Sequence, residues 1–162
     1  WTIISTLNFT SATTEFTVSN LSEYSLLKII FNLRLLSTGT GDNAIYMYPN
    51  NDTNPSNYTN VNHVFYPIGH RYATNTPEAR MVLCRVGWER ETQVTGECMI
   101  QMKTGTWRTS KSDFFLINAD NYLWSHEIQL GVWKDNSSTI SSIRFAVRKN
   151  SFTGKIIILG IK

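Results

Sequence analysis

The sequence predicts an all-β fold, an antiparallel β-sandwich of jelly-roll type with about nine to eleven strands, on three observations. Short segments in which apolar and polar residues alternate recur along the chain, separated by Gly, Pro, Asn, Asp and Ser. No window of a dozen residues repeats apolar side chains at helical spacing. The composition agrees: charged residues are 17% of the chain against a usual ~25%, while 15 Asn, 15 Ser and 19 Thr supply 49 of 162 positions. These short polar side chains compete for nearby backbone groups and so favour strands and turns over helix interiors. A chain of this length reads as a single domain, residues 1–162, and its 41% hydrophobic content is enough for a packed core.

Taken in order, the first expected strand is Glu15 to Leu21. Leu26 to Leu36 carries the strongest signal: Leu27, Ile29, Phe31, Leu33 and Leu35 form a wholly apolar parity and the other parity is mixed, as in a strand with one face on a core. The link Ser37 to Asn43 bears two glycines and Ala44 to Tyr48 alternates again, so the link reads as a hairpin connection. Pro49 to Asn62 reads as a long exposed loop, the kind of segment that carries function. His63 to Tyr66, Met81 to Trp88, Glu97 to Lys103, Phe114 to Ile117, Glu127 to Trp133, Thr139 to Arg148 and Lys155 to Ile161 complete the strands. One helical turn is expected at Thr76 to Arg80, opened by Pro77. The last strand, nearly free of charge, is expected at a central or interface position, since a bare apolar edge invites aggregation. Cys84 and Cys98 read as two buried thiols, with a bridge across a hairpin as the alternative.

Several function classes are disfavoured. The net charge is +3, with residues 1–70 summing to −2 and residues 71–162 to +5, and the basic groups are scattered among acids rather than gathered in a stripe. No nucleic-acid partner is therefore expected. No apolar run approaches the roughly 18 residues of a membrane-spanning helix, so no membrane partner is expected, and no basic-then-apolar leader follows Trp1. Gly39-Thr40-Gly41 lacks the Lys and following helix of a phosphate cradle. His63, His70 and His126 have no paired spacing, and a zinc site would need Cys84 or Cys98 to join them from other strands; no metal and no cofactor are expected. Asp42, Asp52 and Asn50 to Asn54 offer oxygens for calcium without its fixed spacing.

Catalysis finds little support either. No serine sits in a nucleophile elbow. The close carboxylate pairs, Glu89 with Glu91 and Asp113 with Asp120, stand among turn residues and arginine, as solvated loop charges do. The reading is of a protein that is not an enzyme and has no catalytic residues. Sequons at Asn8, Asn20, Asn51, Asn57 and Asn136 exceed the roughly three expected by chance too little to decide anything. The aromatics say more, since a rigid ring beside amides and charges offers contact area at low entropic cost. The candidate ligand- or partner-binding residues are Tyr58, Asn57, Asp52, Trp88 and Trp107. Tyr58 is expected to be exposed in the long loop, and Trp133 to lie in the core or at a strand edge.

Two stretches carry a resemblance. Ala44-Ile45-Tyr46-Met47-Tyr48-Pro49-Asn50-Asn51-Asp52-Thr53-Asn54-Pro55-Ser56-Asn57-Tyr58 resembles an "I-Y-[ML]-x-x-N-x-D-x-x-x-x-N-Y" segment of small β-sandwich virion proteins of tailed bacteriophages. Gly131-Val132-Trp133-Lys134 through Ile140-Ser141-Ser142-Ile143, then Phe152-Thr153-Gly154 and the run to Gly160-Ile161-Lys162, is similar to their closing pattern, with Leu159 where a tyrosine is usual. The resemblance spans about a third of the chain, and its motifs are structural. It implies a jelly-roll-like structural protein on the virion exterior, in a tail, a fibre head or a capsid decoration, often a homotrimer. Its partners would be other virion proteins and a host-surface glycan. The expected function is thus non-enzymatic host or particle attachment; the alternative is a carbohydrate-binding module that reads surface polysaccharide through loop aromatics.

Overall fold

Strand β3 (Leu26–Leu36) covers the residues that the alternation marks, and its apolar parity from Leu27 to Leu35 is at most 1% exposed. The computed structural model describes residues 1–36, 43–66, 69–76, 80–86, 91–118 and 123–162. The remaining strands are β1 (Thr2–Thr13), β2 (Glu15–Ser19), β4 (Asn43–Pro49), β5 (Tyr58–Tyr66), β6 (Gly69–Thr76), β7 (Met81–Val86), β8 (Thr92–Gln101), β9 (Arg108–Asn118), β10 (Leu123–Trp133), β11 (Ser142–Val147) and β12 (Ser151–Ile161). The expected all-β sandwich is thus present, with twelve strands among the described residues. The two strands absent from the sequence-based expectation are β1 and β6, which both lie at sheet edges.

Eight strands form one antiparallel sheet in the order β1-β12-β3-β8-β9-β10-β5-β6, and four form a second in the order β2-β11-β4-β7. The core fills the space between them. Leu27, Ile29, Phe31, Cys98, Phe114, Phe152 and Ile156 from the large sheet meet Val18, Ile45, Met47, Leu83, Cys84, Ile143 and Phe145 from the small one. Phe16 of β2 and Phe145 of β11 lie parallel with centroids 4.5 Å apart, and Phe9 and Phe152 close the row from the large sheet. Cys84 and Cys98 are both fully buried and free, and burial pushes the Cys98 thiol up to about 12, so neither supplies thiolate at neutral pH. β12, with one face in the core, lies between β1 and β3, the internal position its apolar character predicts.

Two expectations need correcting, and a third lies largely outside the described residues. The link after β3 is not a hairpin: β3 pairs with β12 and β8 in the large sheet, and β4 with β11 and β7 in the small one. Glycines mark a turn without saying whether the chain returns to the same sheet or crosses the core; residues 37–42 themselves lie outside the described residues. The supposed loop Pro49 to Asn62 is shorter than expected, because Pro49 closes β4 and Tyr58 opens β5, leaving residues 50–57 with one 3-10 turn at Pro55–Asn57. The helical turn expected at Thr76 to Arg80 falls largely on residues 77–79, outside the described residues, and Thr76 itself ends β6.

Gly96 of β8 stands opposite Phe31 on one side and Phe114 on the other. A Cβ built there would lie 2.3 Å from the backbone oxygen of Asp113 and 2.5 Å from the Phe114 Cβ, so β8 and β9 would have to part. Gly96→Ala is expected to lower stability by about 3 kcal/mol, read as a fall in urea midpoint at unchanged slope.

Candidate functional site

The residues 50–57 bring three of the predicted site residues together, but turned inward. Asn50 and Asn51 take the left-handed backbone conformation, at φ 49° and 57°, which asparagine tolerates better than other side chains. Asn50 donates to the carbonyl of Thr139 and accepts from the amide of Ser141, each at 2.9 Å, and Asn51 accepts from Arg144 Nε at 2.6 Å. Asp52 is the hub. Its carboxylate accepts from Trp133 Nε1 at 2.7 Å, Asn57 Nδ2 at 2.8 Å and the Asn54 amide at 2.9 Å, while its carbonyl accepts from the Tyr58 hydroxyl at 2.7 Å. Partial burial pushes the Asp52 carboxyl up, but the hydrogen bonds from Trp133, Asn57 and Asn54 outweigh it and leave the pKa below the ordinary value.

Tyr58 is therefore not the exposed loop aromatic expected. It is 2% exposed, shares the inner face of the large sheet with its register partner Trp133, and burial drives its phenol far above the ordinary range. The expectation failed because Tyr58 is the first residue of a strand, and the strand signal there is diluted by Asn60 and Asn62. Asp52 and Asn57 hold the loop on the sandwich; Trp133 lies in the core, as expected. Trp88 lies outside the described residues, as do Glu89, Asp42 and Asp120. Trp107 is 57% exposed, in the connection just ahead of β9.

On β10 the inner face is unexpectedly polar. Ser125, Glu127, Gln129, Gly131 and Trp133 point inward, with Ser110 and Ser112 from β9 and Asn60 from β5 beside them, all buried. This polar face meets the edge of the small sheet. Strand β7 is paired with β4 on one side only, and its other edge meets this face, where Ser112 Oγ donates to the Val82 carbonyl at 3.2 Å and Asn60 Nδ2 to the Arg80 carbonyl at 2.6 Å. Polar side chains thus satisfy backbone groups that an apolar face would strand. Gly131 leaves room for its polar neighbours, since a Cβ there would sit 2.6 Å from Ser110 Oγ and 3.0 Å from Asn60 Oδ1. Glu127, held by Ser125 Oγ and Gln129 Nε2 at 3.4 Å each, has its carboxyl pushed up to about 7 by burial.

The apolar parity of the same strand consequently faces outward. Ile128, Leu130 and Val132 sit on the outer face of the large sheet, with Leu130 at 42% exposure. Leu26, Met99, Leu130 and Val132 floor an open groove of about 640 Å³, and Ser25, Gln101, Thr109, Lys103 and Lys111 rim it. Trp107 lies two residues before Thr109, at the end of β9 that opens on this groove. Further along the outer face, His126 stacks between Phe65 and Phe115, at 5.5 and 4.5 Å between centroids, and its Nε2 is 2.6 Å from Asp113 Oδ1. Sequence reasoning found Trp107 and missed the groove. Alternation gives the spacing of Glu127 to Trp133 and leaves its phase open, so the outward turn of its apolar residues is not legible in the sequence. Among the described residues no three His, Cys, Asp or Glu side chains gather as a metal site.

No family model matches the chain, and no curated protein matches it. Among solved structures, it is similar to a marine alginate lyase from Aplysia kurodai at 9% identity and a TM-score of 0.34, over 86% of this chain and 71% of that one. It is also similar to scytalido-glutamic peptidase at 9% identity and a TM-score of 0.26, over 88% and 66% of the two chains. Against botulinum neurotoxin type C the values are 10% and 0.25, over 98% of this chain and 44% of the toxin chain.

Proposed function

We propose that the chain is a non-enzymatic surface module of a phage virion that attaches through the outer groove of its large sheet, and that the groove takes a surface polysaccharide. The observation that carries this is the reversed phase of β10, which turns Leu130 and Val132 to solvent beside Met99 and Leu26 instead of into the core. A soluble protein exposes such a surface where something covers it. An apolar floor suits the hydrophobic face of a sugar ring, and the Gln101, Thr109, Lys103 and Lys111 rim suits its hydroxyl and acidic groups.

The virion setting is supported by how the two resembling stretches meet. They are some 75 residues apart in sequence, yet β11 pairs with β4 from Ile143 opposite Pro49 to Val147 opposite Ile45, and Trp133 donates to Asp52. The quoted motif residues thus make one structural unit. Locating the chain by cryo-microscopy on the parent particle tests the setting, and its absence from purified virions overturns it.

The groove is tested by titrating the chain with neutral and uronic-acid-bearing polysaccharides. Leu130→Asp and Trp107→Ala are each expected to weaken binding about tenfold or more, and Lys111→Glu to abolish any preference for the acidic polymer. Binding that none of the three variants alters would place the ligand elsewhere.

A further inference from the structure

Four strands end sheets in this fold, and one differs from the rest. β2 carries Glu15, β6 carries Arg71 and β7 carries Arg85, whereas β1 from Thr2 to Thr13 has no charged residue and no proline. Proteins blunt exposed edges with charge, proline, bulges or a covering segment, because a row of unpaired amides and carbonyls otherwise templates another strand. The open edge of β7 is met by Asn60 and Ser112. Among the described residues β1 pairs with β12 alone. Its two irregularities fall between Ile3 and Ser5 and between Phe9 and Thr13, which leaves Ser5 to Phe9 as an unbroken run with its far edge open. Ile3, at 66%, is the most exposed large apolar side chain among the described residues, and it stands beside this run.

We infer that β1 pairs antiparallel with β1 of a second copy about a two-fold axis near Leu7, joining two eight-stranded sheets into one continuous sheet. A second copy is the occupant that the sequence of the edge fits. In an isologous contact each residue faces a residue of the same strand, so a strand of one charge sign would set like charges opposite one another. The uncharged run from Thr2 to Thr13 removes that repulsion, which a foreign strand of opposite charge would not require. With Leu7 at the axis, Thr6 of one copy lies across from Asn8 of the other, on the outer face and both exposed. A contact of this isologous kind closes at two copies.

Sedimentation equilibrium of the chain tests this. The expected mass is twice the 18.5 kDa of one copy, with dissociation in the range of about 10 µM. Thr6→Lys with Asn8→Lys, and separately Thr6→Glu with Asn8→Glu, are each expected to raise the dissociation constant at least about tenfold, and an equimolar mixture of the two variants to restore pairing. Hydrogen exchange gives a readout independent of the variants: the β1 amides of the unaltered chain slow as concentration rises. A monomer at all concentrations, a three-copy mass, or a dimer that survives the paired lysines overturns the inference.

Discussion

Replacing Glu127 with glutamine is expected to stabilise the folded chain by about 3 kcal/mol at pH 8.5 and to change little at pH 4. Glu127 is 6% exposed on the inner face of β10, and burial raises its pKa from 4.5 to about 7, against the hydrogen bonds of Gln129 and Ser125 and the charge of Arg85. A raised carboxyl pKa means that the folded chain holds the proton more tightly than the unfolded chain does. Below pH 4.5 the group is protonated in both states and contributes nothing. As pH rises toward 7 the unfolded chain ionises first and stability falls; above 7 the full penalty of a buried carboxylate is present. Glutamine keeps the shape and the hydrogen-bonding oxygen and never ionises. Urea unfolding of both forms at the two pH values isolates this group, since every other titration is shared. A stability difference that is the same at both pH values would refute it.

Glu127 also shows which part of the fold could be read from the sequence and which could not. Where one parity of a strand is wholly apolar, as in β3, spacing and phase come together and the buried face follows. On β10 the inward parity is Ser125, Glu127, Gln129, Gly131 and Trp133, part of a polar face against which the free edge of β7 lies, with Ser112 of β9 and Asn60 of β5 donating to the β7 side. That arrangement belongs to the meeting of two sheets, and no local pattern announces it. The same holds for Tyr58, whose burial depends on pairing with β10, and for β1, whose half-exposed edge position leaves only a weak alternation. Trp107 could be singled out as an aromatic near a strand end; the groove next along β9 is assembled from four strands with Ser25 just ahead of β3, and appears only on folding.

Trp133→Ala is expected to lower stability by about 3 to 5 kcal/mol, the usual loss for a large aromatic at a buried site. The ring is 1% exposed, with the Arg108 guanidinium over it at 5.2 Å, and its Nε1 donates to Asp52. Trp133→Phe separates packing from hydrogen bonding. It keeps most of the ring and removes the donor, and should cost about 1 to 3 kcal/mol. Asp52→Ala should cost a similar amount, because it leaves Trp133 Nε1, Asn57 Nδ2 and the Asn54 amide without their acceptor. Combining Asp52→Ala with Trp133→Phe should cost less than the sum of the two by about 1 kcal/mol or more, since neither partner is then orphaned by the other. Strict additivity would mean that the bond does not link the loop to the core. Coupling would mean that residues 50–57 serve as a brace from β4 to β10, which is why the aspartate and the tryptophan of the two distant motif stretches meet.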